Sequence, residues 1–272
     1  MGILYLVATP IGNLEDITLR ALRILKEVPL IAAEDTRTSR VLLNHYQITT
    51  SLTSYYEHNK LSKQESIYRA LEIGDVALIS DAGTPNFSDP GYELVRGAIE
   101  RGFRVVPIPG ANAAVSALCA SGLPSDQFLY LGFVPKKDQA RRDLFERLRD
   151  EKATIICYES PHRVGDTLTV IAAVMGANRP VVIAREITKM FEEFYRGPAF
   201  AAAERYTSEN PKGEITLLIA GQTEPDVWDE ERVQAALQKR LAGGESRSAA
   251  AKAIAAESGW RKGDIYGLET DE

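Results

Sequence analysis

Short apolar runs alternate with longer amphipathic segments along the first part of the chain. A run of four or five apolar residues predicts a buried strand, and apolar residues at helical spacing predict a helix. The predicted strands are residues 4–7, 30–33, 76–79 and 105–108. The predicted helices are residues 18–25, 39–45, 60–72, 92–101 and 112–121. Because strands and helices alternate, we expect a mostly parallel sheet with helices on both faces over residues 1–122.

The pattern changes beyond residue 122, where an aromatic strand-like segment begins a second series of elements. The predicted strands here are residues 128–134, 153–158, 180–184, 194–197 and 215–220. The predicted helices are residues 139–148, 167–175 and 200–204. Residues 226–272 carry only helical patterns, at 230–241 and 246–257, which resemble a helix-turn-helix unit. The predicted fold class is α/β, with two α/β domains at residues 1–122 and 123–222 and a small helical tail at 226–272.

The composition narrows the class of protein. The chain has 272 residues, of which 44% are hydrophobic and 26% charged, as in ordinary globular proteins. Its net charge of −6 argues against a wholly basic surface but not against a local basic patch. The first residues lack the long apolar run of a signal peptide or membrane span, so we expect a cytoplasmic protein. Cys119 and Cys157 are predicted to be buried thiols, and no metal-ligand spacing occurs, so no metal site is predicted.

Three loops that follow predicted strands are candidates to converge on one site. They are residues 8–13, 80–91 and 109–114, and the second reads SDAGTPNFSDPG. Open α/β sheets bind ligands at the carboxyl ends of their strands, where these loops lie. None of the three matches a dinucleotide-binding or phosphate-binding glycine motif, so neither a Rossmann dinucleotide site nor a P-loop nucleotide site is expected. The third loop leads into a helix N-terminus, whose free N–H groups suit a carboxylate or a phosphate.

Six motifs in one order carry a resemblance to a known family. They are LVATPIGNLEDIT, AEDTRTSR, SDAGTPNFSDPG, PGANAAVSAL, YESPHR and REITK, and the match around them runs from about residue 3 to residue 221. The chain resembles the tetrapyrrole methylase superfamily, and within it the ribosomal RNA branch. Gly83, Thr84 and Pro85 stand where many relatives have Gly-Asp-Pro. The resemblance implies a homodimer of two-domain α/β subunits that hold S-adenosylmethionine in the cleft between domains. It implies 2′-O-methylation of a cytidine ribose in the decoding region of small-subunit (16S) ribosomal RNA.

The resemblance also indicates which residues meet the cofactor. The acidic loop is expected to receive the ammonium and hydroxyl groups, the helix N-terminus near residue 112 the carboxylate, and late strand ends the adenine. The predicted cofactor-binding residues are Pro10, Asp81, Gly83, Thr84, Pro85, Asp89, Ala111, Asn112, Ala113, Tyr158, Ala184, Gly213, Glu214 and Ile215.

A ribose hydroxyl is a poor acid, so a general base would accelerate its methylation by about 10²–10⁴-fold. The candidates for that base are Glu34, Asp35, His58 and Glu159, and Arg37 is placed in the same predicted catalytic group. Asp35 serves equally well as a helix cap, and His58 as a structural residue. Residues 55–59, which are polar and aromatic, suit stacking of a base or a sugar.

RNA needs cationic contacts, and two stretches supply most of them, residues 136–142 and the helical tail at 226–272. The predicted RNA-binding residues are Lys136, Lys137, Arg141, Arg142, Arg163, Arg247, Lys252, Arg261 and Lys262. Either stretch also fits a plainer role, because charged runs commonly form solvated helix faces and helix pairs commonly only pack.

Two other functions remain open at this point. The first is C-methylation of a tetrapyrrole, against which stand the helical tail and the basic stretch after residue 135. The second is a non-catalytic RNA-binding assembly factor with a vestigial pocket, although binding modules rarely keep several polar loops around one pocket.

Overall fold

The computed structural model of the chain describes residues 2–56, 60–89, 91–209, 211–222 and 228–268. Contacts divide the chain into two compact units, Met1–Gly221 and Gln222–Glu272, which are described separately. Among the described helices, none is both long enough and apolar enough to cross a membrane.

The first sheet of the larger unit has five parallel strands in the order β3-β2-β4-β1-β5. Its strands are β1 (Ile3–Val7), β2 (Leu30–Ala33), β3 (Ser51–Ser54), β4 (Val76–Ile79) and β5 (Arg104–Ile108). The helices are α1 (Leu19–Glu27), α2 (Thr36–His45), α3 (Lys60–Ile73), α4 (Tyr92–Glu100) and α5 (Ala113–Ser121). A short 3-10 helix spans Leu14–Asp16. The predicted parallel sheet is confirmed, whereas the polar edge strand β3 has too few apolar residues to be predicted.

The strand order explains why separate loops meet. Strands β2, β4, β1 and β5 are consecutive neighbours and run in the same direction, so their carboxyl ends share one edge. The segments that leave those ends begin at residues 34, 80, 8 and 109, respectively. Loops far apart in sequence are therefore placed side by side by the sheet.

The second sheet has five strands in the order β6-β7-β10-β8-β9. Its strands are β6 (Phe128–Phe133), β7 (Thr154–Glu159), β8 (Pro180–Arg185), β9 (Glu193–Pro198) and β10 (Ile215–Ile219). The helices are α6 (Asp138–Arg147), α7 (Val164–Val174) and α8 (Ala199–Glu209). Only β6 and β7 pair in parallel, and the other neighbours are antiparallel. The second α/β sheet predicted from sequence is confirmed.

Helix α5 lies between the two sheets. It packs on β7, β8 and β10 of the second sheet, although it directly follows the last strand of the first. Ala114, Ala117 and Leu118 of this helix share one buried cluster with Ile156 and Leu218 of the second sheet. The small side chains of Ala114 and Ala117 let the helix approach the second sheet closely, which favours dispersion contacts between them. Cys119 lies on the same helix and is exposed, so the prediction that both cysteines are buried is wrong for this one.

The smaller unit contains three helices within its described residues. They are α9 (Glu230–Ala242), α10 (Arg247–Ser258) and α11 (Lys262–Tyr266). Val233, Leu237, Ala250 and Ile254 are fully or almost fully buried in its core. The predicted helical tail is confirmed, and the short α11 is an addition because five residues are too few for a periodic signal.

Candidate functional site

Three of the loops at the shared edge are joined by hydrogen bonds. Thr9 and Gly83 form an isolated antiparallel bridge, in which the Thr9 N–H lies 2.8 Å from the Gly83 carbonyl oxygen and the Gly83 N–H 3.0 Å from that of Thr9. The Thr84 hydroxyl donates to the Ala111 carbonyl over 3.2 Å. The segments after β1, β4 and β5 therefore form one connected wall.

The loop after β4 has an unusual backbone. Gly83 has φ +80°, and the non-glycine residues Asn86 and Ser88 have φ +69° and +67°. A positive φ costs about 1–3 kcal/mol for such residues and persists only where surrounding contacts enforce it. Strain of this kind clusters at ligand sites, which agrees with the position of the loop.

A cavity of about 740 Å³ opens beside this wall and is lined by both sheets' loops. Its volume lies in the range of small-molecule and cofactor sites. The predicted cofactor residues that line it are Asp81, Gly83, Thr84, Asp89, Asn112, Ala113, Tyr158, Gly213, Glu214 and Ile215. Four predicted cofactor residues are absent from the lining, namely Pro10, Pro85, Ala111 and Ala184. Pro10, Pro85 and Ala184 are buried, and Ala111 supports the wall through its carbonyl.

Three carboxylates from two strand ends face the cavity. The Asp35 N–H donates to Asp81 Oδ1 over 3.0 Å, and the Asp81 N–H lies 3.5 Å from Glu34 Oε2. Burial raises the pKa of Glu34, and the negative charges of Asp89 and Asp81 raise it further. Burial is also the main cause that raises the pKa of Asp81 and of Asp89. This wall is therefore strongly electronegative and favours a cationic ligand.

Asp35 and Arg37 act on each other instead of on the cavity. The Asp35 side chain caps helix α2 by accepting from the Arg37 N–H over 2.8 Å. The Arg37 guanidinium also donates to both carboxylate oxygens of Asp35, and these bonds lower the pKa of Asp35 to about 2. A carboxylate held so firmly in its charged form is a weak base, so the helix-cap interpretation fits better. The other predicted base, His58, lies outside the described residues.

Glu159 reaches the cavity lining but does not suit the role of general base. Its side chain is inaccessible to solvent and forms an ion pair with Arg163. Its oxygens also accept from the Thr167 hydroxyl and the Ser160 N–H, each over 2.6 Å. Because both carboxylate oxygens of Glu159 are bonded to these partners, Glu159 orders the start of helix α7. This arrangement does not fit its prediction as a general base.

An aromatic cluster that includes the predicted cofactor residue Tyr158 borders the cavity. Phe87 stacks on Tyr130 with ring centroids 4.1 Å apart, and Tyr130 Oη lies 2.5 Å from Ser88 Oγ. Tyr158 meets Tyr130 edge to face at 5.5 Å. Burial raises the pKa of Tyr158, and its hydroxyl accepts from the Ala114 N–H. The cluster ties the first sheet's loop to the second sheet, and the alternation of Phe128, Tyr130 and Gly132 was the available signal.

Tyr55 does not offer a stacking surface, because its side chain is fully buried in the core of the first sheet. The prediction that residues 55–59 stack a base therefore fails at Tyr55, and residues 57–59 lie outside the described part.

The predicted RNA-binding residues differ in their surroundings. Lys136 and Arg163 line the cavity. Lys137 and Arg142 do not line it, but both are exposed and lie close to Lys136 in the sequence. Arg141 does not fit the prediction, because it is only 4% exposed and pairs with Asp138 over 2.6 Å.

In the smaller unit, Lys252 and Arg261 are exposed. Arg247 donates to the Tyr266 carbonyl over 3.0 Å, and Lys262 to the Ser248 hydroxyl over 3.0 Å. These two cations therefore also hold the helices of this unit together.

Residues 213 and 214, directly before β10, line the cavity and form its floor. An ion-pair network holds this floor. The Glu186 carboxylate accepts from the Glu214 N–H and from the Lys189 ammonium, each over 2.9 Å. These bonds lower the pKa of Glu186, the Glu214 N–H contributing most. Gly213 lies directly against this carboxylate with φ +93°. The cavity floor is therefore set by contacts that a side chain at residue 213 would disturb.

Solved structures show which class of fold this is. A diphthine synthase structure superposes with a TM-score of 0.62 at 14% identity, covering 82% of this chain and 92% of that one. A uroporphyrin-III-C-methyltransferase from Thermus thermophilus superposes with a TM-score of 0.57 at 20% identity, covering 81% and 94%. At such identities the similarity establishes the fold alone. A model of the family Tetrapyrrole (Corrin/Porphyrin) Methylases matches residues 3–203. The fold is thus of the tetrapyrrole methylase class.

Curated relatives narrow this class. A protein of Halalkalibacterium halodurans named ribosomal RNA small subunit methyltransferase I is 48% identical over 100% of this chain and 96% of its own length. The Synechocystis sp. protein of the same name is 45% identical over 100% and 98%, respectively. The chain belongs to the tetrapyrrole methylase family, and within it to the proteins of the ribosomal RNA small subunit methyltransferase I type. It is accordingly an enzyme of the methyltransferase class.

Proposed function

We propose that the protein methylates the ribose 2′-hydroxyl of a cytidine in the decoding region of small-subunit (16S) ribosomal RNA, using S-adenosylmethionine. The observation that carries the choice of RNA is the 48% identity with the Halalkalibacterium halodurans protein across the whole chain. A ribosomal RNA substrate also implies that the protein acts in the cytoplasm.

The chemistry of the cavity fits S-adenosylmethionine. Three clustered carboxylates line the cavity and attract positive charge, and the cofactor carries an ammonium and a sulfonium. We assign Asp81 and Asp89 to the ammonium and hydroxyl groups, and the Asn112–Ala113 helix start to the carboxylate. Tyr158 and Ile215 provide apolar lining for the adenine. When bound, the cofactor supplies a methyl group on a sulfonium, which is already a good leaving group.

The chain must then position the acceptor oxygen and remove its proton. Orientation of reacting groups accounts for a large part of such rate accelerations. Glu34 is our choice of general base, because it lines the cavity and its pKa is shifted towards the working pH. The network of neighbouring acids supports this role, since repulsion makes each carboxylate a better proton acceptor.

Cations near the opening suit a phosphate backbone. Lys136 and Arg163 line the cavity, and we assign Lys137 and Arg142 to the same approach route. Lys252 and Arg261 of the smaller unit are our candidates for a second RNA contact. RNA affinity should then fall steeply with salt, by a slope that shrinks for each lysine or arginine removed.

We further propose that the protein is a homodimer. Met190 and Phe191 follow one another between β8 and β9 and are 91% and 69% exposed, as expected of an apolar surface that binds a second subunit. Sedimentation of the wild-type protein and of a Met190→Ser/Phe191→Ser variant tests this, and a monomeric wild-type protein contradicts it.

Mass spectrometry of ribosomal RNA from a strain lacking the gene tests the proposed reaction. The deletion should remove one 2′-O-methyl group from a cytidine of 16S ribosomal RNA, and the wild-type gene should restore it. A retained methyl group contradicts the proposal. Incubation of the purified protein with labelled S-adenosylmethionine and either small subunits or a uroporphyrinogen distinguishes ribosomal RNA from a tetrapyrrole. Absence of cofactor binding in calorimetry would instead favour the non-catalytic assembly factor.

A further inference from the structure

An irregularity in strand β6 changes which side chains face the cavity. Tyr130 pairs with Ile156 and Phe133 pairs with Tyr158, so three steps along β6 match two steps along β7. The extra residue is a β-bulge, and Gly132 within it has φ +68°. Glycine adopts this φ without the strain that a Cβ would add, and a Cβ would also approach Ser88 Oγ to 3.2 Å.

The bulge places Phe133 on the cavity face. In a regular strand, residues 130 and 133 would point to opposite faces, because side chains alternate. Leu129 and Leu131 pack on the core behind the second sheet, and a regular β6 would direct Phe133 to that same side. With the bulge, Phe133 contacts Tyr158 and lines the cavity. Bulges beside active sites commonly redirect one side chain in this way.

The Phe133 ring is held at one edge and open elsewhere. It meets Tyr158 edge to face, with centroids 5.4 Å apart and an interplanar angle of 62°. The side chain is nevertheless 65% exposed, far more than Phe87 or Tyr158 in the same lining. It therefore stands at the opening, where a macromolecular substrate arrives, and offers a flat apolar surface.

Cationic side chains accompany this surface. Lys136, which is exposed, lines the same cavity as Phe133, and so does Arg163, whose guanidinium is ion-paired with Glu159. A flat π surface beside cations matches a nucleotide, since its base stacks on aromatic rings and its phosphate attracts ammonium and guanidinium groups.

We propose that Phe133 stacks on the base of the acceptor nucleotide while Lys136 contacts an adjoining phosphate. This inference rests on the proposed RNA methyltransferase function and adds a residue that positions its substrate. Stacking is tolerant of base identity, so Phe133 holds the nucleotide in place and leaves its selection to other contacts.

Steady-state methylation of small subunits by full-length variants tests this role. Phe133→Leu should lower kcat/KM for RNA by about 5- to 150-fold, the equivalent of about 1–3 kcal/mol of stacking. Phe133→Trp should keep it within about threefold, because the indole restores the flat surface. Phe128→Leu is the matched control, since Phe128 lies on the same strand, is 46% exposed and does not line the cavity. S-adenosylmethionine affinity, measured by calorimetry, should be equal in all four proteins.

Each contrary outcome has a distinct meaning. If wild-type protein methylates RNA and Phe133→Leu matches Phe128→Leu, the stacking role is wrong and the proposed function stands. If Phe133→Leu weakens only cofactor binding, the ring serves the cofactor and the inference is likewise wrong. If the wild-type protein methylates a tetrapyrrole and leaves RNA unmodified, the proposed function fails together with the inference. Equal unfolding midpoints for the two leucine variants exclude misfolding as the cause of a difference.

Discussion

Replacing Gly213 with alanine tests whether the cavity floor is set by the Glu186 carboxylate. A Cβ at residue 213 would lie 2.4 Å from Glu186 Cδ and Oε1, well inside any permitted contact. Glu186 is fixed from the other side, because its carboxylate accepts from the Glu214 N–H and the Lys189 ammonium. We therefore expect the alanine to displace the carboxylate and break these bonds.

The magnitude follows from two contributions. A positive φ costs about 1–2 kcal/mol once a Cβ is present. Loss of hydrogen bonds to a charged group that is only 17% exposed adds about 1.5–3 kcal/mol. The sum is a destabilisation of about 2.5–5 kcal/mol, together with weaker S-adenosylmethionine binding, because Gly213 lines the cavity.

Gly122→Ala is the matched control for this substitution. Gly122 has φ +80°, close to the +93° of Gly213, and a Cβ there would meet no atom within 4 Å. Only the conformational cost of about 1–2 kcal/mol should appear. Urea denaturation of both variants gives the free energies of unfolding, and calorimetry gives the cofactor affinities.

The result that refutes this reasoning is equal destabilisation of the two alanine variants. A double-mutant cycle sharpens the test. A Glu186→Ala background removes the three atoms nearest to that Cβ, so Gly213→Ala should then cost about as much as Gly122→Ala.

Three further predictions concern other parts of the chain. Glu34→Gln should lower kcat by about 10²–10⁴-fold and abolish the rise of rate with pH, since burial and neighbouring acids raise the pKa of Glu34 and only its ionised form accepts a proton. A raised carboxyl pKa stabilises the folded protein at low pH, and this contribution is lost as the pH rises through that pKa. The Glu34→Gln variant should therefore be no less stable than wild type at neutral pH, and a clear loss of stability there contradicts this assignment. Thr167→Val should destabilise the protein by about 1–3 kcal/mol in urea, since it leaves the buried Glu159 carboxylate without a 2.6 Å donor, and an unchanged midpoint would show that the bond is dispensable. Ser246→Ala should cost the smaller unit about 1 kcal/mol and speed amide exchange in α10, because Ser246 Oγ accepts from the Ala249 N–H at its start; unchanged exchange would exclude the cap.

Much of the fold could be predicted because the sheets are built from continuous apolar runs. Residues 76–79 are buried throughout, and β4 has the same bounds as the predicted strand. The convergence of the loops that form the cavity wall could also be predicted, since the carboxyl ends of parallel strands share one edge of the sheet. The edge strand Ser51–Ser54 could not, because an exposed edge needs no apolar alternation.

The roles of single charged and aromatic residues were harder to predict, because they depend on contacts distant in sequence. Glu159 and Arg141 look like available ionisable groups, yet both are buried against ion-pair partners. Tyr55 looks like an exposed aromatic, yet it fills the core. Gly132 was the one local sign of the bulge that turns Phe133 into the cavity, since glycine inside a strand often marks such a site.

The position of helix α5 limits how this chain can be recombined with its relatives. Residues 113–121 continue the first sheet in sequence but supply core to the second, where Ala114 and Leu118 pack with Ile156. A chimera joined near residue 122 would keep the order of elements and mismatch that shared packing. Exchanging residues 1–221 as a block keeps both halves of the cluster from one parent. The two sheets therefore behave as one packing unit, and substitutions on either side of α5 must remain compatible with each other.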